Sequence, residues 1–446
     1  MSESSTEAIS KRPQDCFRVR PGAGLRGSTG VPGDKSISHR AVLFSALAHG
    51  RAHIRGWLPA GDTEASLRVA RALGVPIERL SPTEMIVHGG ALQAPDAPLD
   101  CVNAGTGIRL LAGIMVGQPF PSVLTGSEQL RRRPMNRIII PLRLMDADIE
   151  GVNGYAPLTI RPAALRGIHY RMPVASAQVK SAILLAGLSA DGETVIVQPG
   201  PARDHTERML GAMGAHLTVD GDNVHIKPST LQAIDFTVPG DISSAAFPIA
   251  AALLVPDSAV TLTNISLNPT RTGLLDALEE MGAQITVTET ALEAGDPVGT
   301  IEVRSSALTA ITVGGDLVVR MIDEFPIFMV LALAAEGETI VRDAGELRVK
   351  ETDRLAVMTA ELKKLGAVIT ETEDGFHIVG PQKLTGAVVD GHDDHRIAMS
   401  MTIAGLIADG ETIVRDARCA GDSFPGFATT MAGLGADLTE QPVCEG

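Results

Sequence analysis

A short polar stretch combines residue types that bind anions. Residues 31–40 read VPGDKSISHR, and a second copy of the turn, VPGDISSAAF, occupies residues 238–247. Only the first copy carries Lys35, His39 and Arg40, whereas Ser36 has a counterpart in Ser243, so the turn itself does not require the cationic side chains. Cations at the start of a helix are unfavourable, because that end of the helix dipole is positive. Beside hydroxyl groups they indicate a phosphate or carboxylate site, and a solvated basic turn is the alternative.

Five further stretches place charged or amide side chains where an apolar segment begins. They are RRRPMNR (131–137), MPVASAQVKSA (172–182), MIDEFP (321–326), LRVKETDRL (347–355) and GHDDHRIAMS (391–400). Charged helix starts and ion pairs are common on protein surfaces, so each stretch alone is a weak signal. Together they supply cations for two or more anionic groups, and carboxylates such as Asp323 and Glu324 for proton transfer.

Two other patterns contain residue types that can bind ligands, but their neighbouring sequence or spacing does not suit such a site. GAGLRG at 22–27 has the dinucleotide-binding form G-x-G-x-x-G, but Ser-Thr-Gly-Val-Pro follows, so no helix can begin there. The run HDDH at 392–395 could ligate a metal, but four adjacent residues rarely all face one ion. We therefore expect neither a metal nor a cofactor.

Two sequence markers recur six times in the same order and predict the elements that carry these stretches. The first is a helix-ending unit, x-Leu/Met-Gly-Ala-x-Ile/Leu, whose copies begin at residues 72, 144, 212, 280, 364 and 433. Gly suits the left-handed position after a helix, whereas the second copy has Asp146 there and departs from the pattern. The second marker is a turn followed by a β-rich run, as in ADGETIVRDA (408–417). This order predicts six α/β units with mixed sheets.

The repeated Pro-Gly-Asp turn divides the six units into two groups of three. We therefore predict two similar α/β lobes, with chain crossings near 31–34 and 238–241. One lobe would comprise residues 33–240, and the other residues 1–32 together with 241–446. Ligands would bind in the cleft between the lobes. Chance recurrence of Gly-Ala turns in an ordinary α/β protein is the alternative.

Composition disfavours several other classes of protein. The chain has 446 residues, of which 44% are hydrophobic, and this length suffices for two hydrophobic cores. Its net charge of −15 disfavours nucleic-acid and membrane partners, and one Trp leaves little for base stacking. The four cysteines lack the spacing of a metal site or a disulfide frame, which favours reduced thiols. The polar segment MSESSTEAISKRPQDC and the short apolar runs predict a cytoplasmic protein.

Taken in order, the polar stretches resemble the motifs of 5-enolpyruvylshikimate-3-phosphate synthase (3-phosphoshikimate 1-carboxyvinyltransferase). The matching segments span almost the whole chain and are PGDKSISHR, NAGTGIR (103–109), RRPM (132–135), ASAQVKSA (175–182), RDHTE (203–207), NPTRTG (268–273), IDEFP, RVKETDRL and DDHRIAM. Gly107, Ile108 and Ser423 differ from many members and resemble the second class of the family. The resemblance implies two lobes, each of three βαβαββ units, that close over the substrates.

The resemblance also implies a reaction and the residues that perform it. The enolpyruvyl group of phosphoenolpyruvate would pass to the 5-hydroxyl of shikimate 3-phosphate, releasing phosphate, in the pathway to chorismate and aromatic amino acids. Residues implied to hold shikimate 3-phosphate are Lys35, Ser36, Arg40, Ser176, Ala177, Gln178, Arg203, Asp323 and Lys350. Those implied to hold phosphoenolpyruvate are Lys35, Gly105, Arg133, Gln178, Arg354 and Arg396. The implied catalytic groups are Asp323 as base, Glu351 as proton donor or shuttle, and Lys35.

Two rival functions stay open at this point. The sister enolpyruvyltransferase acting on UDP-N-acetylglucosamine shares the fold, but its members carry a reactive loop Cys and a Lys-Asn pair, whereas this chain has Lys35-Ser36. A non-catalytic ligand-binding relative would be expected to lack Lys35, Asp323 or Glu351, and all three are present. The resemblance further implies a monomer inhibited by glyphosate, which occupies the phosphoenolpyruvate pocket.

Overall fold

The computed structural model describes residues 15–442, which form strands and helices in close alternation. The strands are β1 (Cys16–Arg20), β2 (Arg26–Thr29), β3 (Gly50–Arg55), β4 (Ile77–Ser81), β5 (Glu84–Gly89), β6 (Leu99–Asp100), β7 (Ser122–Thr125), β8 (Asp148–Val152), β9 (Tyr155–Arg161), β10 (His169–Arg171), β11 (Thr194–Val197), β12 (Leu217–Asp220), β13 (Asn223–Ile226), β14 (Phe236–Thr237), β15 (Ala259–Ser266), β16 (Gln284–Glu293), β17 (Asp296–Arg304), β18 (Thr312–Val313), β19 (Gly337–Val341), β20 (Thr370–Glu371), β21 (Phe376–Gly380), β22 (Val388–Asp390), β23 (Thr412–Arg415) and β24 (Asp437–Gln441). Most of the predicted polar N-terminal segment (1–14), and Cys444, lie outside the described residues.

Most helices connect strands of the same unit. The α-helices are α1 (Lys35–Leu47), α2 (Gly61–Ala72), α3 (Gly105–Met115), α4 (Glu128–Arg131), α5 (Asn136–Leu144), α6 (Ala177–Gly187), α7 (His205–Ala212), α8 (Ile242–Leu254), α9 (Gly273–Glu280), α10 (Asp316–Arg320), α11 (Phe325–Ala334), α12 (Arg354–Lys364), α13 (His395–Leu406) and α14 (Phe427–Gly433). Two 3₁₀ turns lie at Gly345–Val349 and Ala417–Asp422. Within residues 15–442 we find no helix with the length and apolar character needed to cross a membrane.

Each of the six helix-ending markers ends a helix, as predicted. The residue after the helix cap has a positive φ, between 65° and 105°, in all six copies: Gly74, Asp146, Gly214, Gly282, Gly366 and Gly435. Asp146 adopts this conformation at φ 65° and ends α5 as the glycines end their helices, because Asp tolerates the left-handed region better than most residues. The six turn markers lead into β3, β7, β11, β15, β19 and β23.

Six four-stranded sheets share one strand order, which confirms the predicted repeat. In the sheet β6-β7-β9-β8, the first pair is parallel and the other two pairs are antiparallel. The same order occurs in β10-β11-β13-β12, β14-β3-β5-β4, β18-β19-β21-β20, β22-β23-β1-β24 and β2-β15-β17-β16. The run β6-α3-β7-α5-β8-β9, with the short α4 inserted, is the predicted βαβαββ unit.

The buried apolar side chains form two separate clusters. One cluster spans Ile37 to Val238, and the other joins Phe17, Val19 and Leu25 to residues between Ile242 and Leu438. Strands β1 and β2 therefore belong to sheets of the second half, where β1 lies between β23 and β24 and β2 pairs with β15. The limits given above for the lobes remain a prediction, which this separation supports.

The two Pro-Gly-Asp turns, at which we predict that the chain passes between the lobes, lie side by side. The Asp34 N–H donates to Pro239 O at 2.8 Å, and the Asp241 N–H donates to Pro32 O at 2.9 Å. Gly33 faces Gly240 in an antiparallel bridge. The repeated sequence thus forms a two-fold crossing in which each turn binds the other.

One buried cation joins the two crossings. Arg271 Nη1 lies 3.2 Å from Asp34 Oδ2, and its Nη2 lies 3.2 Å from Asp241 Oδ1. Each carboxylate also caps the helix that follows it, since Asp34 accepts from the Ile37 N–H and Asp241 from the Ser243 N–H. The Arg271 side chain is only 2% exposed. One guanidinium therefore binds the aspartates of both turns.

Gly33 provides a test of this crossing, because a side chain has no room there. A Cβ at Gly33 would lie 2.0 Å from the carbonyl oxygen of Gly56. We expect Gly33→Ala to lower the free energy of unfolding by about 1–3 kcal/mol, the usual cost of overpacking, as measured by urea denaturation. Gly211→Ala is the matched control in α7, where nothing lies within 4 Å of the added Cβ. Equal stability of Gly33→Ala and wild type would contradict the close packing at the crossing.

Candidate active site

Four cations surround the carboxylate of Asp323, which lies just before α11. Arg203 Nη2 is 2.5 Å from Asp323 Oδ2, and Arg354 Nη1 is 3.4 Å from Oδ1. Lys350 Nζ lies at 3.7 Å and Arg396 Nη2 at 4.0 Å. Burial alone would raise the pKa of Asp323, but these cations, Arg203 foremost, hold it well below its ordinary value. The carboxylate is therefore ionised across the neutral pH range.

Glu351 lies beside the same cluster and contacts cations of both lobes. Its Oε2 is 2.9 Å from Arg354 Nη2, and its Oε1 is 3.7 Å from Arg133 Nη2. Burial raises the pKa of Glu351, but Arg354, His395 and Arg133 together lower it far below the ordinary value of a glutamate. A second ionised carboxylate thus faces the cleft next to Asp323.

Lys35 is the first residue of α1 and is held by a residue that the sequence analysis did not select. Its Nζ lies 2.6 Å from Asp62 Oδ2 at the start of α2. Burial lowers the pKa of Lys35, but Asp62 and then Glu351 and Asp422 raise it above the ordinary value. Lys35 is therefore a protonated, positioned cation between the two helix starts.

The amide of Gln178 joins the starts of α6 and α3. Its Oε1 accepts from Arg109 Nη1 at 2.5 Å, and its Nε2 donates to Thr106 Oγ1 at 3.1 Å. Ser176 caps α6 by accepting the Val179 N–H, so Ala177 is the first helical residue. Residues 176–178 therefore lie at a helix N-terminus, as the sequence predicts.

Gly105 lies at the N-terminus of α3, against two arginines. A Cβ there would lie 2.8 Å from Arg133 Nη1 and 3.3 Å from Arg109 Nη1. The absence of a side chain lets the Arg133 guanidinium approach the helix start, where backbone N–H groups and the helix dipole favour anions. This corner has the chemistry of a phosphate or carboxylate pocket.

Arg40 is directed towards the protein interior. Its guanidinium donates to Thr206 Oγ1 at 2.8 Å, to Ser36 O at 2.9 Å and to Ser181 Oγ at 3.1 Å. Burial lowers its pKa to about 10. Three of the five N–H groups of Arg40 are thus bonded within the protein, and the bond from Nη1 fixes the backbone of Ser36. Ser36 itself is half-buried at the start of α1.

The run HDDH at 392–395 binds protein groups. His392 Nε2 bonds to Glu361 Oε1 at 2.8 Å, and Asp394 Oδ2 accepts from Arg354 Nε at 2.8 Å. Among residues 15–442, no group of three or more His, Cys, Asp or Glu side chains is placed to hold a metal ion. Asp394 instead fixes the guanidinium that contacts both Asp323 and Glu351.

Comparison with known proteins identifies the family of this site. A family model described as EPSP synthase (3-phosphoshikimate 1-carboxyvinyltransferase) matches residues 19–431. The chain belongs to the EPSP synthase family. A 3-phosphoshikimate 1-carboxyvinyltransferase of Salinibacter ruber is 50% identical over an alignment of 418 residues, and the match covers 91% of this chain and 96% of that relative. An EPSP synthase structure from Acinetobacter baumannii covers 96% of this chain and is fully covered itself, with a TM-score of 0.89 and 41% identity.

A third relative gives the same result. A 3-phosphoshikimate 1-carboxyvinyltransferase of Desulforudis audaxviator is 50% identical over an alignment of 425 residues, and the match covers 94% of this chain and 99% of the relative. The resemblance and the two-lobe fold of the EPSP synthase family are therefore confirmed. The individual residue assignments stay predictions, because the comparisons concern the chain as a whole.

Several residues of this EPSP synthase family site were missed at the sequence level. Asp62 holds Lys35, Arg109 holds Gln178, and Asp394 holds Arg354. Arg109 and Asp394 lie within the quoted motifs NAGTGIR and DDHRIAM, which are the signals that could have found them. Asp62 lies outside every quoted motif, so nothing in the sequence indicated it.

His39 provides a test of burial beside the site, on the helix that carries Lys35. It is 1% exposed, its Nδ1 lies 2.8 Å from Ser66 Oγ, and burial lowers its pKa to about 4. In the unfolded chain His39 binds a proton near pH 6.5, whereas in the folded chain it does so only at about pH 4. The free energy of unfolding therefore falls as the pH drops from 6.5 to 4.

We expect the histidine to contribute on the order of 2 kcal/mol to the loss of stability between pH 7 and pH 5. His39→Gln should reduce that loss when urea denaturation is compared at the two pH values. Replacement of the exposed His216 by Gln serves as the control. An unchanged difference between pH 7 and pH 5 in His39→Gln would show that His39 is not buried in its neutral form.

Proposed function

We propose that this member of the EPSP synthase family transfers the enolpyruvyl group of phosphoenolpyruvate to the 5-hydroxyl of shikimate 3-phosphate and releases phosphate. The observation that carries the proposal is the convergence of four cations from both lobes on Asp323, with Glu351 bonded to one of them. A site of this kind can bind two anionic substrates and move protons between them.

The reaction requires both functions. A proton is added to C3 of phosphoenolpyruvate while the 5-hydroxyl oxygen forms a bond to C2 and its own proton passes to a base. The tetrahedral adduct then loses a proton from C3 and its phosphate, so that the bond from C2 to the phosphate oxygen breaks and the C2=C3 double bond forms again. Both substrates carry a phosphate and a carboxylate, so cations must hold them. Oxidation states balance without an electron acceptor, so we propose that no redox cofactor takes part.

We propose Asp323 as the base for the 5-hydroxyl. Arg203 and Lys350 keep it ionised in the ligand-free protein, and both are assigned to shikimate 3-phosphate by the resemblance. When the anionic groups of the substrate neutralise these cations, the cause of the low pKa weakens and the carboxylate becomes a stronger base. Substrate binding would therefore activate Asp323.

We propose Glu351 as the proton donor or shuttle for C3. The cations that lower its pKa include Arg354 and Arg133, which the resemblance assigns to phosphoenolpyruvate. Neutralisation by the phosphate and carboxylate of that substrate would raise the pKa of Glu351 and let it carry a proton. Lys35, protonated and near Glu351, would stabilise negative charge on the adduct.

Two rival functions are less well supported. The relatives reported above are named for activity on 3-phosphoshikimate, which favours that substrate over UDP-N-acetylglucosamine. A non-catalytic binding protein would have no need of two ionised carboxylates among the cations. We further propose a cytoplasmic monomer that glyphosate inhibits at the phosphoenolpyruvate pocket. Phosphate release, measured with phosphoenolpyruvate and either shikimate 3-phosphate or UDP-N-acetylglucosamine, distinguishes the three functions.

Replacement of Lys35 tests the proposed chemistry. We expect Lys35→Ala to lower the rate of phosphate release by about 10³-fold or more, the scale of removing one preorganised transition-state donor. Lys227→Ala is the control, because Lys227 is an exposed lysine on the same half of the chain, and it should keep the wild-type rate. Retention of a tenth of the wild-type rate by Lys35→Ala would overturn the role of Lys35.

Gly105 tests the assignment of the phosphoenolpyruvate pocket. The methyl group of Gly105→Ala would lie 2.8 Å from the flexible end of Arg133, which can shift without disturbing the fold. We expect the inhibition constant of glyphosate to rise by about tenfold, or about 1.4 kcal/mol of binding energy. The Michaelis constant for phosphoenolpyruvate should rise far less, because glyphosate is the longer ligand.

The alternative is that Gly105 serves backbone geometry alone. Gly105→Ala would then lower the melting temperature and leave the ratio of the two constants unchanged. Measurement of both constants and of the melting temperature for wild type and variant distinguishes the two explanations. Equal shifts in both constants would count against the pocket assignment.

A further inference from the structure

We propose that Glu324 is a positioning residue for Asp323, and that it acts through Ser243 and Arg271, which connect it to the chain crossings. This inference rests on the proposed function, in which Asp323 is the base. Glu324 is adjacent to Asp323 in sequence and is 1% exposed, and the reaction proposed above assigns it no role, although its residue type would allow proton transfer.

Ser243 connects the carboxylate of Glu324 to the buried guanidinium. The Ser243 Oγ donates to Glu324 Oε1 and accepts from Arg271 Nη2 at 2.6 Å. Ser243 is the second residue of α8 and is 1% exposed, so water does not compete for these bonds. Its own N–H donates to Asp241 Oδ1, which fixes the hydroxyl relative to the crossing.

Arg271 cannot follow a displaced Ser243, because the crossings hold it. It binds Asp34 on one crossing and Asp241 on the other, and these two carboxylates are fixed by the helix starts that they cap. The chain of contacts from Asp34 to Glu324 is thus continuous and buried. It gives the Glu324 side chain one defined position relative to the crossings.

Glu324 transmits this position to Asp323 through the backbone. It is the cap residue of α11, and its carbonyl accepts the Phe328 N–H at 2.9 Å. Helix α11 fixes the backbone of Glu324, and Ser243 fixes its side chain. The peptide bond that joins Asp323 to Glu324 is therefore held in place. A displaced Glu324 would move the Asp323 carboxylate relative to Arg203, which belongs to the other half of the chain.

The contact requires the reach of Glu324 and not its charge. Only Oε1 bonds to Ser243, and Oε2 has no hydrogen-bond partner among the described residues. A glutamine has the same length and offers the same carbonyl acceptor. An aspartate keeps the charge but is one methylene shorter. These two replacements therefore separate positioning from electrostatics.

The experiment compares phosphate-release kinetics of full-length wild type with Ser243→Ala, Glu324→Ala and the double variant. We expect each single variant to lower kcat by about tenfold, with the Michaelis constant for phosphoenolpyruvate changed less than about twofold, because Asp323 is displaced while the other cations stay in place. The double variant should also lose about tenfold and not about a hundredfold, since both changes break one connection.

Two further variants and a control complete the test. Glu324→Gln should keep most of the wild-type kcat, and Glu324→Asp should lose more of it. Ser244→Ala removes the neighbouring buried hydroxyl of α8, which faces Ser423 O instead of Glu324, and should leave kcat unchanged. If the alanine variants do not fold, the order of Glu324→Gln above Glu324→Asp still tests the proposal.

Several results would overturn the inference. One is a double variant whose loss of kcat is the product of the two single losses. Another is a kcat for Glu324→Asp above that for Glu324→Gln. The third is a lowered melting temperature with kcat unchanged in all variants, which is the result of a purely structural role. No phosphate release by wild type would overturn the proposed function and this inference with it. An active wild type with unaffected Ser243 and Glu324 variants would overturn the inference alone.

Discussion

Arg271 binds one aspartate of each Pro-Gly-Asp turn, the two turns at which we predict that the chain passes between the lobes. The two Pro-Gly-Asp turns bind each other through backbone hydrogen bonds, and their aspartates share its guanidinium. A buried cation of this kind is costly to leave without its partners, roughly 3–5 kcal/mol for a broken pair. At these two turns, where we predict that the lobes are joined, this arrangement would fix the position of one lobe relative to the other.

The cleft divides its charges between the two halves of the chain. Arg133, Arg137 and Arg203 come from the first half, and the carboxylates they face, Glu351, Glu346 and Asp323, come from the second. Protein carboxylates thus occupy the cations that substrate anions would bind. In the proposed reaction, substrate phosphates would exchange with these carboxylates, and the exchange would change the protonation of the groups that are released. Under this proposal the same arginines couple anion binding to proton transfer.

The sequence predicted the repeated units well, because their signals are local. A residue with positive φ must follow each helix, and Gly meets that steric requirement in five copies. Asp146 shows that the requirement belongs to the backbone position and not to the residue type. The polar stretches were also found locally, since charged residues at a helix start stand out against the apolar segment that follows.

Side-chain partners were beyond the reach of such local signals. The contact of Lys35 with Asp62 depends on how α1 and α2 pack, and the inward direction of Arg40 depends on Thr206, which is 166 residues away. The role of Arg271 depends on two turns that are remote from it in sequence. Each of these pairings is decided by tertiary packing, which residue types alone do not encode.

The position of β1 between β23 and β24 constrains how the protein is made. Arg18 of β1 bonds to Gln441 of β24, a separation of 423 residues. At ribosomal rates of about 5–20 residues per second, β1 waits roughly 20–80 s before both its neighbours have been synthesised. The continuous lobe between the crossings has all its strands long before that time. During synthesis the nascent chain therefore contains all the strands of the predicted continuous lobe while both edges of β1 are still unpaired, and unpaired strand edges favour aggregation.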